Sequence, residues 1–204
     1  MSVFRLYEDA ALTQMVTKDG DFGNPDDEGS KINGTTGETR QKALYVAAEQ
    51  TTLSGDIDDS VQTIPLAAAR FADTNYSVII IGSEKMLITA GHGTNSLTVT
   101  RGYNGTTPAS HSSADPVYAA YDFTACSIDC ADNEGTDESD WVTYCDDDSG
   151  SPDGNWEAPH SLSSLNYNQN QKIWRRVVVP ASTPAAYKRD LAHRAKATID
   201  ETGE

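Results

Sequence analysis

Lys172-Ile173-Trp174-Arg175-Arg176-Val177-Val178-Val179-Pro180 is the stretch that decides the fold. Three successive valines and an alternating lead-in favour an extended strand, since β-branched side chains pack well on a pleated surface. Side chains alternate across a strand, so Ile173, Arg175, Val177 and Val179 share one face. Trp174, Arg176 and Val178 share the other. The aromatic face reads as the core side, which leaves Arg175 in solvent. Pro180 has no amide hydrogen and ends the ladder.

Working outward, Trp141-Val142-Thr143-Tyr144-Cys145 reads as a second strand, followed by a long polar loop from Asp146 to Trp156. Leu162 and Leu165 fall in a short turn. Pro184 to Ala192 reads either as one helical turn or as a lead into a last strand near Arg194–Ile199. At the other end, Val3–Glu8 and Ala43–Ala48 read as strands. The polar stretch 18–41 between them is dense in Gly, Asn, Asp and Pro, the turn formers.

Residues 51–121 have a tighter rhythm. Ser77-Val78-Ile79-Ile80-Ile81-Gly82-Ser83-Glu84-Lys85-Met86-Leu87-Ile88-Thr89 reads as a hairpin turning at Gly82-Ser83. Further short strands are expected at Thr63–Leu66, Leu97–Thr100 and Val117–Tyr121. The expected fold is therefore all-β. Segments 1–50 and 122–204 together supply roughly seven strands, which suits an immunoglobulin-like β-sandwich. Residues 51–121 form an inserted small β-barrel or sandwich module, since exposed loop tips tolerate insertions.

The formal net charge of −16 repels nucleic acid and anionic membrane, so neither is expected as a partner. Such acidity serves solubility, divalent-cation binding or a high-salt habitat. No Lys or Arg occurs between Arg101 and Lys172, whereas Lys172, Arg175, Arg176, Lys188, Arg189, Arg194 and Lys196 crowd the last stretch. Arg175, Arg176, Lys188 and Arg189 are thus candidate subunit contacts, meeting acidic loops of another copy or of the same one. No apolar run approaches the ~20 residues needed to cross a bilayer. The start of the chain lacks the apolar core of a signal peptide, so synthesis in the cytoplasm is expected.

The residues offer little catalytic chemistry. His92, His111, His160 and His193 sit outside any nucleophile motif and read as surface loop residues. Cys126, Cys130 and Cys145 are an odd set, so they cannot all pair internally. Cys126 and Cys130 lie roughly 13 Å apart along one strand, too far to bridge each other. A bridge to Cys145, an intersubunit thiol, or three buried reduced thiols all remain open. The spacing does not suit zinc. Asp146-Asp147-Asp148 is the best calcium candidate, with Asp19, Asp21, Asp26, Asp27 and Glu28 a second acidic group, although neither follows the EF-hand pattern. Trp141 and Trp174 read as core, and Trp156, in a Gly-rich loop, as a candidate glycan contact.

One ordered set of blocks carries a resemblance. It runs Thr51-Thr52-Leu53-Ser54-Gly55-Asp56-Ile57, Thr63-Ile64-Pro65-Leu66, Ile80-Ile81-Gly82-Ser83-Glu84, Leu97-Thr98-Val99-Thr100-Arg101-Gly102-Tyr103-Asn104-Gly105-Thr106, Ala109-Ser110-His111 and Pro116-Val117-Tyr118. It resembles a small β-module found in tail, baseplate, fibre and decoration proteins of tailed bacteriophages. The outer segments, through Trp174–Thr183 with Ala185 and Asp190, are similar to immunoglobulin-like phage domains. The resemblance implies a non-enzymatic virion protein such as a capsid decoration, neck (collar) or tail accessory component. Its partners would be other virion proteins and copies of itself. The alternatives are a tail or baseplate adhesin for host surface glycan, and a particle-borne hydrolase.

Overall fold

The computed structural model describes residues 3–16, 25–26, 30–132, 137–184 and 191–203. Its strands are β1 (Phe4–Tyr7), β2 (Glu38–Ala48), β3 (Gln50–Thr52), β4 (Thr63–Pro65), β5 (Val78–Ile81), β6 (Glu84–Ala90) and β7 (Ser96–Thr100). They continue with β8 (Pro116–Ala119), β9 (Tyr121–Asp132), β10 (Val142–Asp148), β11 (Ser151–Pro152), β12 (His160–Ser161), β13 (Asn170–Val179) and β14 (Leu191–Glu201). Among the described residues no helix is long and apolar enough to cross a membrane.

The fold is an all-β sandwich. One sheet has the order β1-β2-β13-β10-β11 and another β12-β9-β14; both are built from the chain's outer segments. A six-stranded sheet, β3-β8-β5-β6-β7-β4, holds the strands between. Among the described residues all the pairings are antiparallel, and short turns join hairpins such as β5–β6. The apolar alternation of these strands sets the register: a slip of one residue would turn each buried row out to water. One apolar cluster runs through all three sheets, from Leu6 and Val46 through Phe123 and Ile128 to Ile79 and Leu97.

The β5–β6 hairpin forms where expected, with Ile81 opposite Glu84. Gly82 takes the turn at φ 59°, a conformation that side chains disfavour. Gly102 is held more tightly. Its φ is 64°, and a Cβ there would lie 2.8 Å from the Thr106 carbonyl oxygen.

Strand β13 spans the expected residues but faces the opposite way. Ile173, Arg175, Val177 and Val179 are buried, with Arg175 only 1% exposed. Val178, on the other face, is 38% exposed. Three of the four inward positions are β-branched aliphatics, and burying them outweighs the area gained by burying one indole. The inward guanidinium is tolerated because a carboxylate meets it. Arg175 is therefore no surface contact.

Strand β9 carries a bulge. Across it, Thr198 pairs with Thr124 whereas Lys196 pairs with Ser127, and Ala125 turns to φ 49°. The extra residue switches the buried set from Tyr121 and Phe123 to Cys126, Ile128 and Cys130. The expected last strand is β14, and residues 185–190 before it lie outside the described residues.

Candidate docking face and the polar hubs behind it

Two buried carboxylates organise the charged side chains of this molecule. The first, Glu84, opens β6 and is 1% exposed. Arg101, just after β7, donates to it through Nε at 2.6 Å and Nη2 at 2.7 Å. His111 Nε2 lies 2.9 Å away, and the Ala109 and Gly102 amides add 3.0 and 3.3 Å bonds. Arg101 also reaches the carbonyls of Asp58, Val61 and Ala109. Burial pushes the Glu84 carboxyl up. The donors from Arg101, His111 and Ala109 outweigh it and hold the pKa at about 2. The hub clamps three loops onto one hairpin.

The second carboxylate, Asp26, is drawn into the outer sandwich. Arg175 grips it with Nε at 2.9 Å and Nη2 at 3.0 Å, the two-pronged geometry of strong guanidinium–carboxylate pairs. Lys42 Nζ lies 2.7 Å away on β2, and His193 Nε2 2.7 Å away on β14. The other nitrogen of His193 meets the Tyr144 hydroxyl at 2.6 Å. Burial raises the Asp26 carboxyl, but His193 and Arg175 hold it well below the usual carboxylate range. Burial also raises the Tyr144 hydroxyl well above its ordinary value. This Asp26-His193-Tyr144 chain ties β14 to β10. The phenol at its end is made less acidic and so a poorer nucleophile.

The outward face of β13 is different in kind. Lys172, Trp174 and Arg176 follow at every second residue. Lys172 Nζ stands 4.9 Å from the Trp174 ring centre, and the Arg176 guanidinium 4.5 Å from that of Trp156. These are cation–π distances. Asp147 ties the row at one end, accepting from the Trp174 indole and from Lys172, both at 2.7 Å. At the other, Arg176 Nε donates to Thr143 Oγ1 at 3.1 Å. Lys172, Trp174, Arg176 and Trp156 all remain half-buried, with ring and cation edges open to a partner. Trp156 and Arg176, singled out from sequence, are thus brought together, whereas Lys188 and Arg189 lie outside the described residues.

The remaining candidates resolve as follows. Asp146, Asp147 and Asp148 do not converge. Asp146 turns towards His160 and Gln171, Asp147 towards Lys172 and Trp174, and Asp148 accepts from Ser149. Successive residues of β10 point to opposite faces, which splits the acidic run. Among the described residues no group of three or more His, Cys, Asp or Glu could hold a metal ion. Asp26 is engaged by its own cations, and Asp19, Asp21, Asp27 and Glu28 lie outside the described residues.

Cys126, Cys130 and Cys145 are free and buried, so the intersubunit thiol and the bridge to Cys145 give way to the third alternative. Burial raises all three thiols, Cys130 to about 12 with help from Asp129 and Asp132, which leaves little reactive thiolate. The histidines are not free loop residues. His92 bonds Ser77, His160 bonds Glu157, and His111 and His193 belong to the hubs.

The Asp26 hub gave no signal in the sequence. The Glu84 hub did, because Glu84, Arg101, Ala109 and His111 all fall inside the blocks that carry the resemblance. No family model, curated protein or solved structure matches the chain.

Proposed function

We propose that the chain is a structural component of a tailed-phage particle, a capsid decoration, neck or tail accessory protein. It docks on neighbouring virion proteins through the outward face of β13. The observation that carries this reading is the convergence of three motif blocks, 80–84, 97–106 and 109–111, at Glu84. His111 and Arg101 are engaged in holding the module together. The open chemistry lies instead on a sheet face, as the row Lys172, Trp174, Arg176 and Trp156. Aromatic and Arg side chains are the groups that dominate protein interfaces, and Asp147 beside them sets their orientation.

Mass spectrometry of purified particles tests the reading. The expected result is this chain at fixed stoichiometry, and particles complete without it would overturn the reading. A second reading, a host-glycan adhesin, draws on the same two indoles, since ring faces beside polar loops stack on sugars. A glycan array separates the two, because only the adhesin retains a specific sugar, and only while Trp156 is present.

A further inference from the structure

Strand β14 is the open edge of the sheet β12-β9-β14. Among the described residues, no strand is hydrogen-bonded to the side of β14 away from β9, although β1 comes close to β14. An unpaired row of backbone amides and carbonyls is a template for another strand, and proteins usually blunt it with a proline, a bulge or an inward charge. This edge has none of the first two. Residues 191–201 contain no proline. The bulge of this pair falls on β9, which leaves β14 regular.

The two cations on β14 do not guard the edge either. Arg194 and Lys196 both lean towards β9, where they share the single carboxylate of Asp129 at 2.8 Å each.

The side chains of β14 alternate strictly. Arg194, Lys196, Thr198 and Asp200 are exposed, whereas Ala195, Ala197 and Ile199 are half-buried against the core. The geometry points to a second copy of this chain as the partner of this edge, paired β14 to β14, antiparallel, about a twofold axis at Ala197. In that register Arg194 stands opposite the partner's Asp200, Lys196 opposite the partner's Thr198, and Ala195 opposite the partner's Ile199. Each charge meets its opposite twice, once on either side of the axis. Both exposed charges gain from it. Arg194 now competes with Lys196 for one anion. Asp200 faces Asp122 across the existing ladder, a like-charge pair, and among the described residues no cation pairs with it. The half-buried apolar row would be covered by its own copy, as a self-complementary twofold interface requires. Two three-stranded sheets then become one six-stranded sheet.

This pairing rests on the reading of the chain as an assembly component. Its test uses the purified full chain, so the two fail separately: absence from particles sinks the phage reading and leaves the dimer standing. Analytical ultracentrifugation across micromolar concentrations should show a reversible dimer. Asp200→Arg removes the clash with Asp122 and sets two arginines opposite two arginines. It should weaken the dimer at least about tenfold, since opposed like charges replace attractive pairs at two places. Arg194→Asp added to it should restore most of the affinity, because Lys196 keeps Asp129 neutralised. Thr198→Lys, an exposed substitution opposite the partner's Lys196, should also weaken the dimer. A chain monomeric at every concentration, or a dimer indifferent to both Asp200→Arg and Thr198→Lys, overturns the pairing.

Discussion

The two hubs solve one problem by different routes. Each buries a carboxylate and surrounds it with a guanidinium, a histidine and a further donor. The Glu84 hub draws on nearby chain: Arg101 lies 17 residues away and His111 27. The Asp26 hub spans almost the whole molecule, with Arg175 149 residues away and His193 167. A local hub forms once a hairpin and its loops close, with little loop entropy to overcome. A long-range hub forms only when both chain ends have met. The inner sheet's hub is thus built from its own segment, and the outer sandwich's hub from both ends of the chain.

Removing the hub carboxylates is the most direct way to break this comparison. Asp26→Ala strips the anion from Arg175, His193 and Lys42 together and should cost about 4 kcal/mol, as for other broken buried ion pairs. Glu84→Ala should cost less, about 3 kcal/mol, because Arg101 keeps three backbone carbonyls. Trp141, Trp156 and Trp174 all lie outside residues 51–121, so tryptophan fluorescence in urea reports the outer sandwich alone. One apolar core joins the sheets, and Lys85 on β6 pairs with Glu201 on β14 at 3.0 Å. Both variants should therefore lower the same fluorescence midpoint. A Glu84→Ala protein whose tryptophans unfold as in the unaltered chain would show the regions to be uncoupled.

The contrast also explains what could be read from the sequence. Hairpin β5–β6 was legible because period-two apolar residues flank a glycine able to turn at positive φ. The span of β13 was legible for the same reason, but its facing was not. Arg175 goes inward only because Asp26 waits there, and nothing within 100 residues of Arg175 announces it. Trp174 misled in the complementary way: an indole weighs heavily as a core residue, yet here its N–H is held by Asp147 at the surface. The cysteines were legible only in part. Their shared face on β9 followed from parity, whereas the bulge at Ala125, which sets that parity against Phe123, depends on pairing with β14.

Acid sharpens the comparison at a smaller scale. Both hub carboxylates sit below their unfolded values, so each stabilises the fold at neutral pH and loses that contribution as pH falls. For Glu84 the window runs from 4.5 down to about 2. That shift corresponds to on the order of 3 kcal/mol, present in full above the window and gone below it. Asp26 begins to lose its contribution only below 3.8. Urea midpoints should be level from neutrality to about pH 5 and then fall. In Glu84→Gln the upper part of that fall should be smaller, whereas the loss due to Asp26 and the other lowered carboxylates, Asp129 among them, remains.

The smallest stability effect belongs to the outward face of β13, and it discriminates most sharply between holding the fold and using it. Trp156 packs on Arg176 at 4.5 Å in a half-exposed setting, where such contacts contribute about 0.5–1 kcal/mol. Trp156→Ala should therefore move the urea midpoint far less than either hub variant. Retention on the particle, measured by quantifying bound chain after washing, should fall by an order of magnitude if the face is a docking surface. The mismatch is the informative quantity. A hub substitution loses binding only as far as it loses folding, whereas a face substitution loses binding while folding stands. Were Trp156→Ala to cost as much stability as Glu84→Ala, the row of cations and rings would belong to the scaffold, and the docking surface would have to lie elsewhere on the molecule.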